Sequence, residues 1–117
     1  MNHRVIISIG SCHLPTAHMP WAAERLSSLL GNIRFSRMLW TADIKDTGIW
    51  YMNRLCAAAT TLSVDQLTQA LKNMETETNR QAGRITIDLD LMSYDDERYH
   101  LNDWPRPYIQ QLLNDIL

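Results

Sequence analysis

Hydrophobic and polar positions alternate along this chain in a way that separates strands from helices. "RVIISIG", Arg4 to Gly10, has the β-branched density of a central strand and ends on a glycine where the backbone can turn sharply. Pro20 to Leu30 carries a proline near its start, apolar Trp21, Ala22, Leu26, Leu29 and Leu30 at helical spacing, and Gly31-Asn32 as a stop; this predicts a first helix. "IRFSRMLWTADI" alternates as a strand, and "YMNRLCAAATTL" from Tyr51 reads as its neighbour after a turn around Asp46 to Gly48. Ser63 and Gln66 form a capping box ahead of Leu67, Ala70, Leu71 and Met74, whose spacing predicts a second helix ending near Asn79. "GRITIDLDLMSY", Gly83 to Tyr94, reads as a fourth strand.

The order strand, helix, strand, strand, helix, strand predicts an α+β fold of the ferredoxin-like, split βαβ kind, with two helices on one face of an antiparallel sheet. The other face is expected to stay partly open. "SYDDERYHLND" supplies an acidic turn with a short strand or hairpin, "WPRPY" interrupts regular structure, and "YIQQLLNDIL" has the pattern of a short C-terminal helix.

A chain of 117 residues, 45% hydrophobic and 21% charged, is the size of one ordinary domain with one core, and a single domain over 1–117 is expected. The formal net charge of -2 gives no electrostatic reason for a nucleic-acid polyanion or an anionic membrane as partner. No apolar run approaches the roughly 20 residues that span a bilayer, and the N-terminal apolar segment is short for a signal sequence, so a cytoplasmic protein is expected. Cys12 and Cys56 make no disulfide framework. His3, Cys12, His13 and His18 cluster near the N-terminus but lack zinc spacing, and no Gly-x-Ser-x-Gly motif is present.

The candidate chemistry lies in the fourth strand. Side chains alternate between faces, so Ile85, Ile87, Leu89 and Leu91 point one way while Thr86, Asp88, Asp90 and Met92 point the other. Asp is depleted in strands, and two of them aligned on one face, two rises of about 3.3 Å apart, suit Mg²⁺ held near a polyphosphate. The bland alternative is a solvated sheet face.

"SIGS" (Ser8 to Ser11), "WTADI" (Trp40 to Ile44), "YMNRLCAAATTLSVDQL" (Tyr51 to Leu67), "TIDLDLMSY" (Thr86 to Tyr94) and "WPRP" (Trp104 to Pro107) occur in the order found in one family. In these stretches the chain resembles the 6-hydroxymethyl-7,8-dihydropterin pyrophosphokinases of the folate pathway, the Thr-Ile-Asp-Leu-Asp run being the most specific element. The resemblance implies transfer of the β,γ-pyrophosphoryl group of ATP, the co-substrate, to the pterin hydroxymethyl group, with two Mg²⁺ ions at Asp88 and Asp90. It also implies a pterin pocket of Thr41, Ala42, Ile44, Tyr51 and Asn53, and nucleotide contacts from Glu75, Arg80, Arg84 and Arg106.

Departures from the family pattern fall mainly on the nucleotide side. The family's long arginine-bearing loop before the aspartates is reduced to "ETNRQAGRI", leaving Arg80 and Arg84, and Arg84 sits one position from the usual arginine. A one-residue shift in a strand turns a side chain to the opposite face. Cys12 replaces the usual Asn, Ala42 the usual Pro and Arg106 the usual His, and the C-terminal region is abbreviated. Two functional readings therefore stand: a pyrophosphokinase with a trimmed nucleotide site, or a non-catalytic pterin- or small-ligand-binding or regulatory protein on the same fold. The open sheet face and exposed edges allow a homodimer.

Overall fold

The structure is a computed structural model that describes residues 2–43, 45, 47–78 and 84–117. The strands are β1 (His3–Ser11), β2 (Gly31–Phe35), β3 (Leu39–Ala42), β4 (Trp50–Thr60), β5 (Asp88–Tyr94) and β6 (Glu97–Arg98). The helices are α1 (Pro15–Leu29), α2 (Val64–Glu77) and α3 (Pro107–Ile116). The strands form an open antiparallel sheet in the order β2-β4-β1-β5-β6, with β3 also paired to β4, so the protein is α+β.

The alternation in β1 decides the layering. Val5, Ile7 and Ile9 are buried on one face, where Met19, Ala22 and Leu26 of α1 and Leu67, Leu71 and Met74 of α2 join them with Ile87, Leu89 and Leu91. The second face is not left open throughout. There α3 lays Ile109, Leu112, Leu113 and Ile116 over Leu55, Met92 and Trp104, forming a smaller apolar cluster. A stripe at i, i+3, i+4 and i+7 on a ten-residue helix is a single buried face, and burial of that face, not propensity, makes so short a helix stable.

Three local outcomes differ from the sequence pattern. The first helix begins at Pro15, five residues before Pro20, because two prolines compete for the favoured first position. Leu14 enters it in the left-handed conformation (φ 48), and Pro20 sits inside the helix on its exposed side. The stretch from Ile33 to Ala42 is two strands instead of one. At the break, the Ser36 N–H donates to the Leu55 carbonyl (2.8 Å), while the Leu55 N–H donates to the Ser36 hydroxyl instead of a carbonyl (2.8 Å). The freed Ser36 carbonyl accepts from Arg54 Nε (2.8 Å). The last long strand starts at Asp88, not at Gly83, which lies outside the described residues; Ile85 instead takes two backbone bonds from Cys12 and His13 (3.0 Å each).

The second helix matches its sequence signal. The Ser63 hydroxyl accepts from the Gln66 N–H, and the Gln66 side chain accepts from the Ser63 N–H, a complete capping box. One irregularity shapes the second face. Ile7 pairs with Leu91 but Ile6 pairs with Ser93, so Met92 is a surplus residue and β5 is bulged there. Met92 and Ser93 consequently both project to the face that carries α3.

Candidate functional site

On the α3 side of the sheet, two rows of directly opposed residues cross the strands. Asn53 of β4 opposes Gly10 of β1, which opposes Asp88 of β5; two residues further along each strand, Leu55, Ser8 and Asp90 align in the same way. The rows floor a cleft of about 270 Å³ walled by Thr41, Ala42, Asp43 and Lys45 on one side and by Asp103, Arg106, Tyr108 and Ile109 on the other. The β3–β4 hairpin thus supplies one wall, and the turn into α3 the second.

Gly10 does not serve as the turn that its place in the sequence suggests, since β1 continues to Ser11. It keeps the floor low: a Cβ there would stand 3.4 Å from Asn53 Oδ1. Asn53 is buried, and its amide nitrogen donates to Thr41 Oγ1 (2.6 Å) and to the Tyr51 carbonyl (3.3 Å). Its oxygen is therefore the atom turned toward Gly10. Tyr51 opposes Thr41, and its phenol is pushed up to about 12, first by burial and then by the Cys12 thiol beside it, with Asp43 and Asp88 adding to the effect. Tyr51 is thus a neutral hydrogen-bonding group at any ordinary pH.

Asp88 and Asp90 are half-buried and share the cleft floor with Ser8 and Met92. His100 Nε2 stands 3.8 Å from Asp90 Oδ1. Across from them, Arg106 donates from Nε to Asp103 Oδ1 (2.9 Å), and its N–H donates to the Asp103 carbonyl (3.0 Å). The turn itself is fixed by Trp104, whose indole donates to the Tyr99 carbonyl (2.9 Å), and by Gln110, which donates to the Trp104 carbonyl (2.7 Å). Tyr108 has a raised pKa, caused first by burial and then by Asp103, partly offset by Arg106, with Asp90 and Asp88 contributing further. Four carboxylates (Asp43, Asp88, Asp90, Asp103) thus face two cations (Lys45, Arg106) along one cleft, an imbalance that favours a cationic or metal-bridged ligand.

Of the residues singled out in the sequence, Thr41, Ala42, Tyr51, Asn53, Asp88, Asp90 and Arg106 line this one cleft. Ile44 and Arg80 lie outside the described residues. Glu75 and Arg84 are placed elsewhere: Glu75 accepts from the Leu89 N–H at the β5 edge (2.8 Å), and the Arg84 guanidinium meets His13 Nε2 (2.9 Å) beside the β1–α1 loop. Asp43, Lys45, Asp103, Tyr108, Ser8 and His100 escaped the sequence reading. Asp103 directly precedes the irregular "WPRPY" stretch and Tyr108 ends it, and Ser8 and Asp43 fall inside two of the stretches that carry the resemblance.

A family model described as 7,8-dihydro-6-hydroxymethylpterin-pyrophosphokinase (HPPK) matches residues 6–115. The chain belongs to this family. Membership supports a pterin-pyrophosphokinase type of function in the folate pathway. No curated protein matches the chain. Among the described residues no helix is long and apolar enough to cross a membrane. The family's span includes both walls of the cleft and its whole floor, from Ser8 to Ile109.

Proposed function

We propose that residues 1–117 act as one pterin-pyrophosphokinase-like domain on a ferredoxin-like frame, transferring the β,γ-pyrophosphoryl group of ATP to the hydroxymethyl oxygen of 6-hydroxymethyl-7,8-dihydropterin in the cytoplasm. The observation that carries this reading is the convergence in one cleft of the acid pair Asp88 and Asp90 with Thr41, Tyr51 and Asn53.

The donor set fits Mg²⁺. Among the described residues no group of three or more His, Cys, Asp or Glu side chains converges as a closed metal cage. Two carboxylates are what Mg²⁺ commonly takes from a protein when substrate phosphates and water complete its shell. Asp88 and Asp90 would hold two such ions, and the chemistry supplied is charge neutralisation of the triphosphate and alignment of its β-phosphorus.

The chain's own residues do the rest by position. The protonated phenol of Tyr51 gives a flat wall and a donor, while the Asn53 oxygen accepts from an N–H of a ring lying over Gly10. Arg106, pinned by Asp103, presents positive charge to phosphate oxygens across from the acid pair. In the reaction the hydroxymethyl oxygen bonds to the β-phosphorus and gives up its proton to solvent, the bond from that phosphorus to the bridging α-phosphate oxygen breaks, and AMP leaves with that oxygen.

The rival reading, a binding or regulatory protein on the same fold, draws on one observation: Arg84 turns to His13 instead of the cleft. Release of AMP from ATP in the presence of the pterin and Mg²⁺ separates the two. The expected result is pterin-dependent AMP formation that Asp88→Asn and Asp90→Asn each reduce at least about 100-fold. Calorimetry showing tight pterin binding without any uptake of a non-hydrolysable ATP analogue at millimolar concentration would decide for the rival.

A further inference from the structure

A second and larger hollow, about 700 Å³, opens on the same sheet face beyond the other end of α3. Its floor is a row running Arg34, Ala57, Ile6, Ser93 across four strands, with Ala59 opposite Arg4 in the next row. Ile116 forms the wall toward α3. The bulge at Met92 parts this hollow from the candidate active cleft: Met92 is drawn under α3 and Ser93 faces the hollow.

Two properties set its chemistry. Alanines on the floor leave the apolar sheet accessible between taller neighbours, and the volume lies within the range of about 300–1,000 Å³ typical of small-molecule sites. Arg4 and Arg34 bring two guanidinium groups to the rim, where Asp95 is the one acidic side chain and Leu117 also lines the hollow. Asp95 is already engaged by the His3 ring (2.7 Å) and by the Arg4 backbone N–H (2.9 Å), and Arg34 spends one nitrogen on the neutral Ile116 carbonyl (2.9 Å). An apolar floor beneath two planar, fork-shaped donors selects a flat or aliphatic body carrying one carboxylate or sulfonate.

We infer that this hollow is a binding site for a small amphipathic organic anion, independent of the candidate active cleft. The anionic head bridges Arg4 and Arg34, and the apolar body lies on Ile6, Ala57 and Ala59 against Ile116.

The test uses the intact chain and 1-anilinonaphthalene-8-sulfonate, which joins an aromatic body to one anionic group. Fluorescence titration is expected to show a single saturable site. Arg4→Gln is expected to weaken it about tenfold or more, the loss of one charge-assisted contact. Ala57→Leu, which fills the floor, is expected to abolish it, and Asp88→Asn to leave it unchanged. Should Ala57→Leu not fold by its circular dichroism melt, Ala59→Leu takes its place. Absence of saturable binding to the folded wild type overturns the inference, as does equal binding of the uncharged N-phenylnaphthylamine or an affinity unaffected by Arg4→Gln and by the floor-filling variant. Displacement of the probe by Mg²⁺ with an ATP analogue would move it to the cleft and overturn the inference too.

Discussion

At the scale of single residues the cleft depends on a few atoms whose roles differ in kind. Gly10 contributes an absence: Gly10→Ala brings a methyl group to 3.4 Å from Asn53 Oδ1, an ordinary contact for a folded protein but an intrusion for anything lying on that floor. The expected outcome is a thermal midpoint within a few degrees of wild type and pterin affinity reduced about tenfold or more by calorimetry. Cys56 sets an alkaline limit on stability. Burial pushes its thiol up to about 12, against a bond from the Ile7 backbone and the Arg54 charge, while the ordinary thiol ionises near 9.0. A folded pKa above the unfolded one means that the folded state holds a proton the unfolded state gives up. The stabilisation is complete below about pH 9 and is lost as pH rises toward 12, with Tyr51 adding to the loss above its ordinary value of 10.0. Urea midpoints at pH 8 and pH 10 are expected to diverge in wild type and to converge in Cys56→Ala, even though the latter is less stable at both.

At the scale of elements, the fold shows which sequence signals were sufficient. The capping box at Ser63 and the period of Leu67, Leu71 and Met74 specify α2 without reference to the rest of the chain, because both ends of the argument are local. The alternation of β1 and β4 was legible for the same reason. The division between β2 and β3 was not: it depends on Ser36 meeting Leu55, 19 positions away, and a serine in an alternating run gives no hint of a hydroxyl substituting for a carbonyl. Ser36→Ala leaves the buried Leu55 N–H without that acceptor and is expected to cost about 1–3 kcal/mol, read from urea unfolding, with amide exchange accelerated at Leu55. The start of α1 was misplaced because two prolines each suit a first turn, and only packing of Met19 selects Pro15. Pro20 lacks the N–H that would reach the Thr16 carbonyl; Pro20→Ala is therefore expected to raise the melting temperature, by up to about 3 kcal/mol of helix stability.

At the scale of the whole molecule, α3 determines which part of the second face is cleft, which is core and which is hollow. The sequence showed the amphipathic stripe of this helix but not its seat, since a stripe does not say which surface it will cover. The shared face of Asp88 and Asp90 was legible in the alternation of their strand, whereas Asn53, Tyr51 and Arg106 were pointed to only by the family resemblance, and Asp43, Lys45 and Asp103, which reach the cleft through turns, were not singled out. Leu112 is fully buried between α3 and the sheet, so Leu112→Ala is expected to cost about 2–5 kcal/mol. It is also expected to weaken pterin binding, because Tyr108 and Ile109 ride on the same helix.

The surplus residue in β5 has a consequence for how this protein tolerates change. Upstream of Met92 the strand keeps one parity with β1, and downstream it keeps the opposite one. Deleting Met92 would close the bulge into plain alternation, because Leu91 and Ser93 already lie on opposite faces, and would keep the two acids and Tyr94 on their present sides. What a missing codon here would take away is the side chain that Met92 sets beneath α3, whereas an inserted one on either flank would throw every residue beyond it out of phase.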